Sequence, residues 1–373
     1  MKICITSDVF PPSVGGIQTF TRGLAEHLSR DRRVDKVSVI TFGEERAREI
    51  VSKKMDVLRL PDTNFLRKGL SIMLQLSQKR GHNVFHSATL LPAGFFTSYF
   101  NSFLAHKKFF ATIFGLDALG GFKNMKTRFL IKRVFNRSDG IVSFSNFTKK
   151  EVEKLYGLEK DKITTIYPGI SVPKIDQKEV NGLIKRYKVG KKDFMVLFVG
   201  RLVERKGVDD LIRAIGKMKR ERVKLLVIGG GPEKEKLTRL VMKLGLQKKV
   251  LFVGDAPYHK IHPFYKLADI FCMPSKYLKE KGDVEGLGLA FLEAQSYGIP
   301  VIGAQSGGIP EAIDDGRSGF IVPEEDPDSI KEKILLLRDK QLYKKMSEYA
   351  LKFVKKKFSW ERCVDEHIKL YEG

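Results

Sequence analysis

Short apolar runs alternate with stretches of helical periodicity along nearly the whole chain, and no other feature narrows the fold so far. In the first half the runs fall at residues 3–6, 37–42, 57–60, 84–86, 109–114, 141–144 and 163–167. Between them apolar residues recur every three or four positions, as at Ile17, Phe20, Leu24 and Leu28, which is the spacing of one helical face. Strands apolar at successive residues are buried on both faces, and parallel strands need a crossover between them. Repeated βα units and a mainly parallel sheet follow. The pattern pauses over residues 170–192, which are polar, charged and poorly periodic, then restarts with runs at 194–200, 223–229, 250–253, 270–273, 301–303 and 320–322. A chain of 373 residues exceeds what one core usually supports. The sequence therefore predicts two Rossmann-like α/β domains, 1–169 and 193–357, joined by a linker region at 170–192.

Composition decides which partners such a fold must attract. Lys and Arg number 68 against 44 Asp and Glu, a formal charge of +24, so nucleic acid, an acidic membrane surface or a phosphorylated substrate is expected. Cys4, Cys272 and Cys363 are too far apart for a disulfide framework or a zinc spacing, which fits a reducing compartment. The opening residues read as a first buried strand rather than a signal peptide. The apolar stretch 90–105 contains Pro92, Asn101 and two serines and falls short of the ~20 residues a membrane span needs. The expected location is cytoplasmic, soluble or peripheral on a membrane.

Three stretches carry chemistry. Residues 285–293 read E-G-L-G-L-A-F-L-E. If a helix begins near Gly288, the amides around Gly286 and Gly288 face an anion at its N-terminus, where unpaired N–H groups and the helix dipole favour negative charge. Glu285 and Glu293 would lie roughly 12 Å apart along such a helix, too far for the ~5–5.5 Å carboxylate pair of a retaining hydrolase. One carboxylate at each end of a phosphate seat suits two sugars, each offering a diol. The plain alternative makes Glu285 a helix cap and Glu293 a solvated helix residue. Residues 200–207, G-R-L-V-E-R-K-G, place Arg201 and Lys206 in a turn between strand and helix, where they could converge on a diphosphate without metal or stand as ordinary surface charges. Gly15 and Gly16 lie where the first strand hands over to the first helix, as a ligand loop or a simple tight turn.

Together these stretches resemble the family 4 retaining glycosyltransferases. Residues 285–293 are similar to that family's E-x7-E motif, residues 200–207 to its Gly-Arg-Leu-x-x-x-Lys-Gly motif, and Gly15-Gly16 to its Gly-Gly loop. The resemblance implies a GT-B fold, two Rossmann-like domains facing across a cleft, with a C-terminal helix at about 358–373 crossing back to the first domain. It implies a nucleoside-diphosphate sugar as donor substrate, no cofactor and no metal. Arg201 and Lys206 would hold the diphosphate, Glu285 the transferred sugar, and Gly286, Leu287, Gly288 and Leu289 would offer amides to sugar and phosphate. Glu293 would hold the ribose, while Gly15 and Gly16 face the diphosphate or the acceptor. Arg201, Lys206 and Glu285 are the expected catalytic residues. With no covalent nucleophile apparent, the sugar would leave and be attacked on the same face. Residues 254–256 and 283–285 are candidate loops for selecting base and sugar.

One position departs from the family. It carries His-Gly-x-Asp where this chain has Phe114-Gly-Leu-Asp117, so no imidazole acts from position 114, while Asp117 stays a candidate acceptor-side carboxylate and His86 a candidate neighbour. Residues 104–137 hold eight basic residues against one acid, Asp117, with phenylalanines interleaved, and residues 66–74 add a second apolar, basic stretch. Such surfaces suit an anionic leaflet and an acceptor that is lipid-linked, or else a glycan. Two rival readings remain: a sugar-nucleotide-binding protein that has lost turnover, and a nucleic-acid-binding protein, for which no recognised module is present.

Overall fold

The computed structural model describes residues 1–13, 15–120 and 124–373. The chain divides into two compact units, Met1–Gly169 with Ser359–Gly373, and Ile170–Phe358.

The first unit is built on a sheet of eight strands: β1 (Lys2–Thr6), β2 (Lys36–Gly43), β3 (Ala47–Ser52), β4 (Met55–Pro61), β5 (Val84–Ser87), β6 (Lys108–Ile113), β7 (Gly140–Ser143) and β8 (Ile163–Thr165), in the order β3-β4-β2-β1-β5-β6-β7-β8. All neighbours run parallel except β3, which pairs antiparallel with β4. β1 is the centre of the winding, with Ile3 opposite Val37 on one side and Val84 on the other. Its Ile3, Cys4 and Ile5 are fully buried, as a strand covered on both faces requires. The helix Gly16–Arg30 lays Phe20, Leu24 and Leu28 against this sheet.

The last helix, Trp360–Glu372, belongs to this unit and packs on Gly16–Arg30. Trp360 stacks on His27 at 4.6 Å between ring centres and fills the space over Gly23, where a Cβ would meet its ring at 2.2 Å. Arg33 donates to Asp365 at 2.9 Å.

The second unit is a six-stranded parallel sheet of β9 (Phe194–Val199), β10 (Val223–Ile228), β11 (Val250–Gly254), β12 (Ile270–Met273), β13 (Val301–Ala304) and β14 (Gly319–Val322), ordered β11-β10-β9-β12-β13-β14. Residues 170–192, expected as a linker, are part of this unit. They form the helix Gln177–Arg186, capped by Asp176, which packs on the helix Tyr258–Leu267 with Tyr187 5.8 Å from Phe264. All three cysteines are free and buried. Among the described residues no helix is long and apolar enough to cross a membrane.

Candidate active site

In a doubly wound sheet the ligand crevice lies beyond the carboxyl ends of the two strands at which the winding reverses. In the second unit those strands are β9 and β12. β9 leads through Gly200 and Arg201 into the short turn Glu204–Lys206 and then the helix Val208–Gly216. Gly207 between them is left-handed at φ 65°, and a Cβ there would sit 2.0 Å from the Pro274 carbonyl oxygen. The loops after β9 and β12 therefore touch through a position open only to glycine.

That contact brings Lys206 under Glu285. The buried Lys206 ammonium donates to Glu285 Oε2 at 2.5 Å and lies 3.2 Å from Met273 Sδ. Arg205 donates from Nη1 to the same Oε2 at 2.6 Å and sets its Nε 2.7 Å from Asp283 Oδ1. Burial by itself would raise the Glu285 carboxyl, but Lys206 and Arg205 outweigh it and hold the group at about 2. Burial lowers the Lys206 ammonium, and Glu285 offsets part of that. The result is a pre-formed, charged acceptor–donor pair in a largely buried site, where such charges act more strongly than in open solvent.

The backbone after Glu285 is held just as closely. Gly308 N–H donates to the Glu285 carbonyl at 2.9 Å, and a Cβ on the left-handed Gly307 would lie 2.3 Å from that same oxygen. Gly288, at φ 88°, caps the helix Leu289–Ser296, and a side chain there would strike the Phe291 ring at 2.6 Å. Residues 286–289 thus lead into a helix N-terminus, as the sequence predicts, with Leu287 buried beneath.

Glu293 lies within that helix, buried, with its carboxylate fixed at both oxygens. Tyr258 donates to Oε1 at 3.0 Å and Tyr265 to Oε2 at 2.8 Å. Burial raises the Glu293 carboxyl, and the two phenol hydrogen bonds counter only part of the rise. Neither the solvated-residue reading nor the cap reading describes these carboxylates. Sequence reasoning missed Arg205, Tyr258 and Tyr265. The tyrosines, seven apart on one helix, share a face, the one signal that could have found them.

Arg201 stands apart from this cluster. It is exposed and pairs with no carboxylate among the described residues, whereas Arg205 and Lys206 converge on Glu285. In the candidate selectivity loop 254–256, Asp255 lies against Gly230, where a Cβ would come within 2.4 Å of its Oδ2. Asp326 and Asp328 form an Asp-x-Asp string that the sequence reading overlooked. Asp326 caps the helix Pro327–Leu336, and Asp328 pairs with Lys217 at 2.5 Å.

In the first unit the winding reverses at β1 and β5, and Gly15 caps the helix that follows β1. Gly16 is that helix's first residue, and Val14 beside them lies outside the described residues. The crevice position is occupied by Asp8, which accepts from Thr89 Oγ1 at 2.5 Å and the Ala93 N–H at 3.2 Å, and which burial raises to about 6. His86 does not fit an acceptor-side role. It is fully buried, with Nδ1 2.5 Å from the Tyr371 hydroxyl and Nε2 2.7 Å from Thr112 Oγ1, so one ring nitrogen serves the last helix and the other the neighbouring strand β6. Asp117 Oδ1 accepts the Phe114 and Gly115 N–H groups at 3.0 and 2.9 Å. Its Oδ2 is buried without a partner among the described residues, and burial raises the carboxyl to about 6. Phe114 packs edge-on to Phe144 at 4.6 Å and Phe20 at 5.9 Å. Phe122 and Lys123 of the basic segment lie outside the described residues.

Comparison with known proteins bears on both units. Residues 14–173 match the family model described as Glycosyltransferase Family 4, and residues 181–353 that described as Glycosyl transferases group 1. The GDP-mannose-dependent alpha-(1-6)-phosphatidylinositol monomannoside mannosyltransferase of Mycolicibacterium smegmatis is 28% identical over 335 residues, covering 88% of this chain and 86% of that protein. The N-acetyl-alpha-D-glucosaminyl L-malate synthase of Bacillus anthracis is 27% identical over 375 residues, covering 96% and 94%. Among solved structures, Anabaena Alr3699/HepE in complex with UDP and glucose aligns over 100% of both chains with a TM-score of 0.80 at 19% identity. WaaG, a glycosyltransferase involved in lipopolysaccharide biosynthesis, aligns over 100% of both with a TM-score of 0.73 at 16% identity.

Proposed function

The chain belongs to the family 4 glycosyltransferases and has the GT-B type of paired parallel-sheet units, and from that premise we propose that it is a retaining, metal-independent hexosyltransferase moving a sugar from a nucleoside diphosphate to a hydroxyl of a glycan or lipid-linked acceptor. The observation that carries this reading is the largely buried Lys206–Glu285–Arg205 cluster at the switch point of the second sheet, directly before the helix that starts at Leu289.

Each side chain has a part. Glu285 takes its hydrogen bonds from Lys206 and Arg205 on Oε2, and Oε1 accepts hydroxyls of the transferred sugar. Lys206 and the exposed Arg201 neutralise charge growing on the leaving diphosphate, aided by the amides of residues 286–289. Glu293, its rotamer fixed by two tyrosines, accepts the ribose diol. The bond from the anomeric carbon to the phosphate oxygen breaks, the bond to the acceptor oxygen forms on the same face, and the acceptor proton passes to the departing phosphate. Positive side chains in this role replace the divalent ion of transferases that bind their donor through paired aspartates.

The test is transfer and thermal shift against a panel of nucleoside-diphosphate sugars, GDP-mannose first, with a chelator present. Ligand at about 100 times its dissociation constant stabilises by about 2.7 kcal/mol. Stabilisation by one donor with turnover unaffected by chelator is expected. Activity lost to chelator and restored by a divalent ion contradicts the metal-independent step. A second reading, a binding protein without turnover, is favoured by Phe114 lying in an aromatic cluster. Stabilisation without transfer or donor hydrolysis across the panel would establish it.

A further inference from the structure

The first unit carries a surface that its own fold leaves uncovered. Three helical segments lie side by side there: Phe65–Ser77, Phe95–Phe100 continued through Asn101–Ala105, and Met125–Arg137. Aromatic rings join them. Phe96 presses on Gly69, where a Cβ would come within 2.2 Å of its ring. Phe65 sits 5.2 Å from Phe96, and Tyr99 6.0 Å from Phe103. Arg137 stacks over Tyr99 at 4.1 Å and so ties the third segment to the second.

Large apolar side chains stand in solvent on this scaffold. Leu66, Leu70 and Leu74 occupy successive turns of the first helix, and Phe103, Met125 and Phe129 continue the exposed set on the other two, from 55% exposed at Phe129 to 81% at Met125. Single exposed apolar residues need no explanation, but a contiguous group marks an interaction site. In the second unit the exposed ones, Met242, Leu336 and Leu351, are scattered over three different helices.

Charge selects the partner. None of the three segments contains an Asp or Glu, whereas Arg67, Lys107, Lys126 and Lys132 are exposed on or beside them. Lysine and arginine interleaved with leucine and phenylalanine on helical faces, with no acid, is the make-up of an interfacial surface. A leaflet of anionic lipid meets both demands at every point, offering phosphate to the cations and a hydrocarbon boundary to the rings.

We propose that this face docks the protein on an anionic membrane leaflet, with the leucines and phenylalanines entering the headgroup boundary and the basic side chains pairing with lipid phosphates. Docking gives the lipid-linked acceptor of the proposed transfer its setting and rests on that reading for the acceptor alone.

The test uses the full chain, sedimented with vesicles of phosphatidylcholine and of phosphatidylcholine mixed with phosphatidylglycerol. Binding to the mixed vesicles only, weakening as salt rises, is expected. Lys126→Glu with Lys132→Glu should lower the partition coefficient more than about tenfold, and Leu70→Ser with Leu74→Ser should lower it as well. Phe103→Trp should shift its emission to the blue on mixed vesicles, against the constant background of the buried Trp360. Undiminished binding by the charge-reversed variant, no binding to either vesicle, or a homodimer in light scattering that Leu70→Ser dissolves would each overturn the proposal. Donor hydrolysis is followed in parallel. A parent chain that binds vesicles but turns over no donor counts against the transfer reading and leaves docking supported.

Discussion

The two sheets reverse their winding in the same way, and what they place at the reversal is opposite in character. Beyond β9 and β12 stand Lys206 and Arg205, which both donate to Glu285, and Asp283, which pairs with Arg205. Beyond β1 and β5 stand Asp8 and Thr89, with burial pushing the acid towards its neutral form, and Phe114, Phe20 and Phe144 pack together in the same unit. One fold thus sets an ion-paired cluster at one reversal and a buried carboxyl pushed towards its neutral form at the other. The difference lies in loop residues, which is where doubly wound folds carry function.

The sharpest way to break the comparison is to remove the charge from the second unit. Lys206→Ala takes away the cation proposed to meet the leaving diphosphate and leaves Glu285 with Arg205 alone. Turnover should fall by about 10²–10³, the usual loss for one group stabilising transition-state charge. Wild-type turnover in a folded variant would remove Lys206 from the mechanism. Glu285→Ala should lower kcat by a similar factor with a smaller change in KM, because the sugar contacts proposed for it act at the reacting end. A pure KM effect in steady-state kinetics would move Glu285 to ground-state binding.

Next in size is the end proposed to hold the ribose. Glu293→Ala should weaken donor binding by about 1.5–3 kcal/mol, the worth of a hydrogen bond to a charged group. Tyr258→Phe removes one of its two positioning bonds and should cost about 0.5–1.5 kcal/mol. Calorimetric titration of the donor measures both, and equal losses would mean that Tyr258 itself touches the ligand.

How much of this was legible beforehand follows from the range of each interaction. Thirteen strands announce themselves as local apolar runs, but β3 does not, because its residues, A-R-E-I-V-S, form a largely exposed edge strand whose partner is set by the antiparallel turn to β4. The positions of Glu285, Gly288 and Lys206 in loops and helix starts follow from nearby sequence. Their contacts do not: Arg205 and Glu285 are 80 residues apart, and Tyr258 and Glu293 are 35 apart. His86 shows the converse error. Its resemblance to a family histidine suggests an acceptor-side neighbour, whereas Tyr371, 285 residues later, uses it to seat the last helix. Electrostatic function set by tertiary contact is therefore readable only where a motif already encodes it.

The smallest effect tests the contrast in charge state by pH. Glu285 falls from the ordinary 4.5 to about 2 in the folded chain, so its ion pair contributes stability above 4.5 that is lost as pH falls towards 2. Asp8 and Asp117 move the other way, from 3.8 to about 6. Their contribution is complete below 3.8 and disappears as pH rises through 6, because burial then penalises the ionised form. The two units should thus respond to acid with opposite sign. Isosteres separate the responses in urea unfolding. Asp117→Asn should gain stability relative to the parent chain by on the order of 1 kcal/mol between pH 4 and pH 7, since the amide never ionises. Glu285→Gln should be costly at pH 7, and its penalty should shrink as pH falls from 4.5 towards 2. If Asp117→Asn and the parent keep a constant difference across pH 4–7, Asp117 is ionised throughout. The first unit would then hold an unpaired buried carboxylate at its candidate acceptor loop, ready for a cationic or hydroxyl-rich ligand, and the contrast between the units would reduce to one of ion pairing alone.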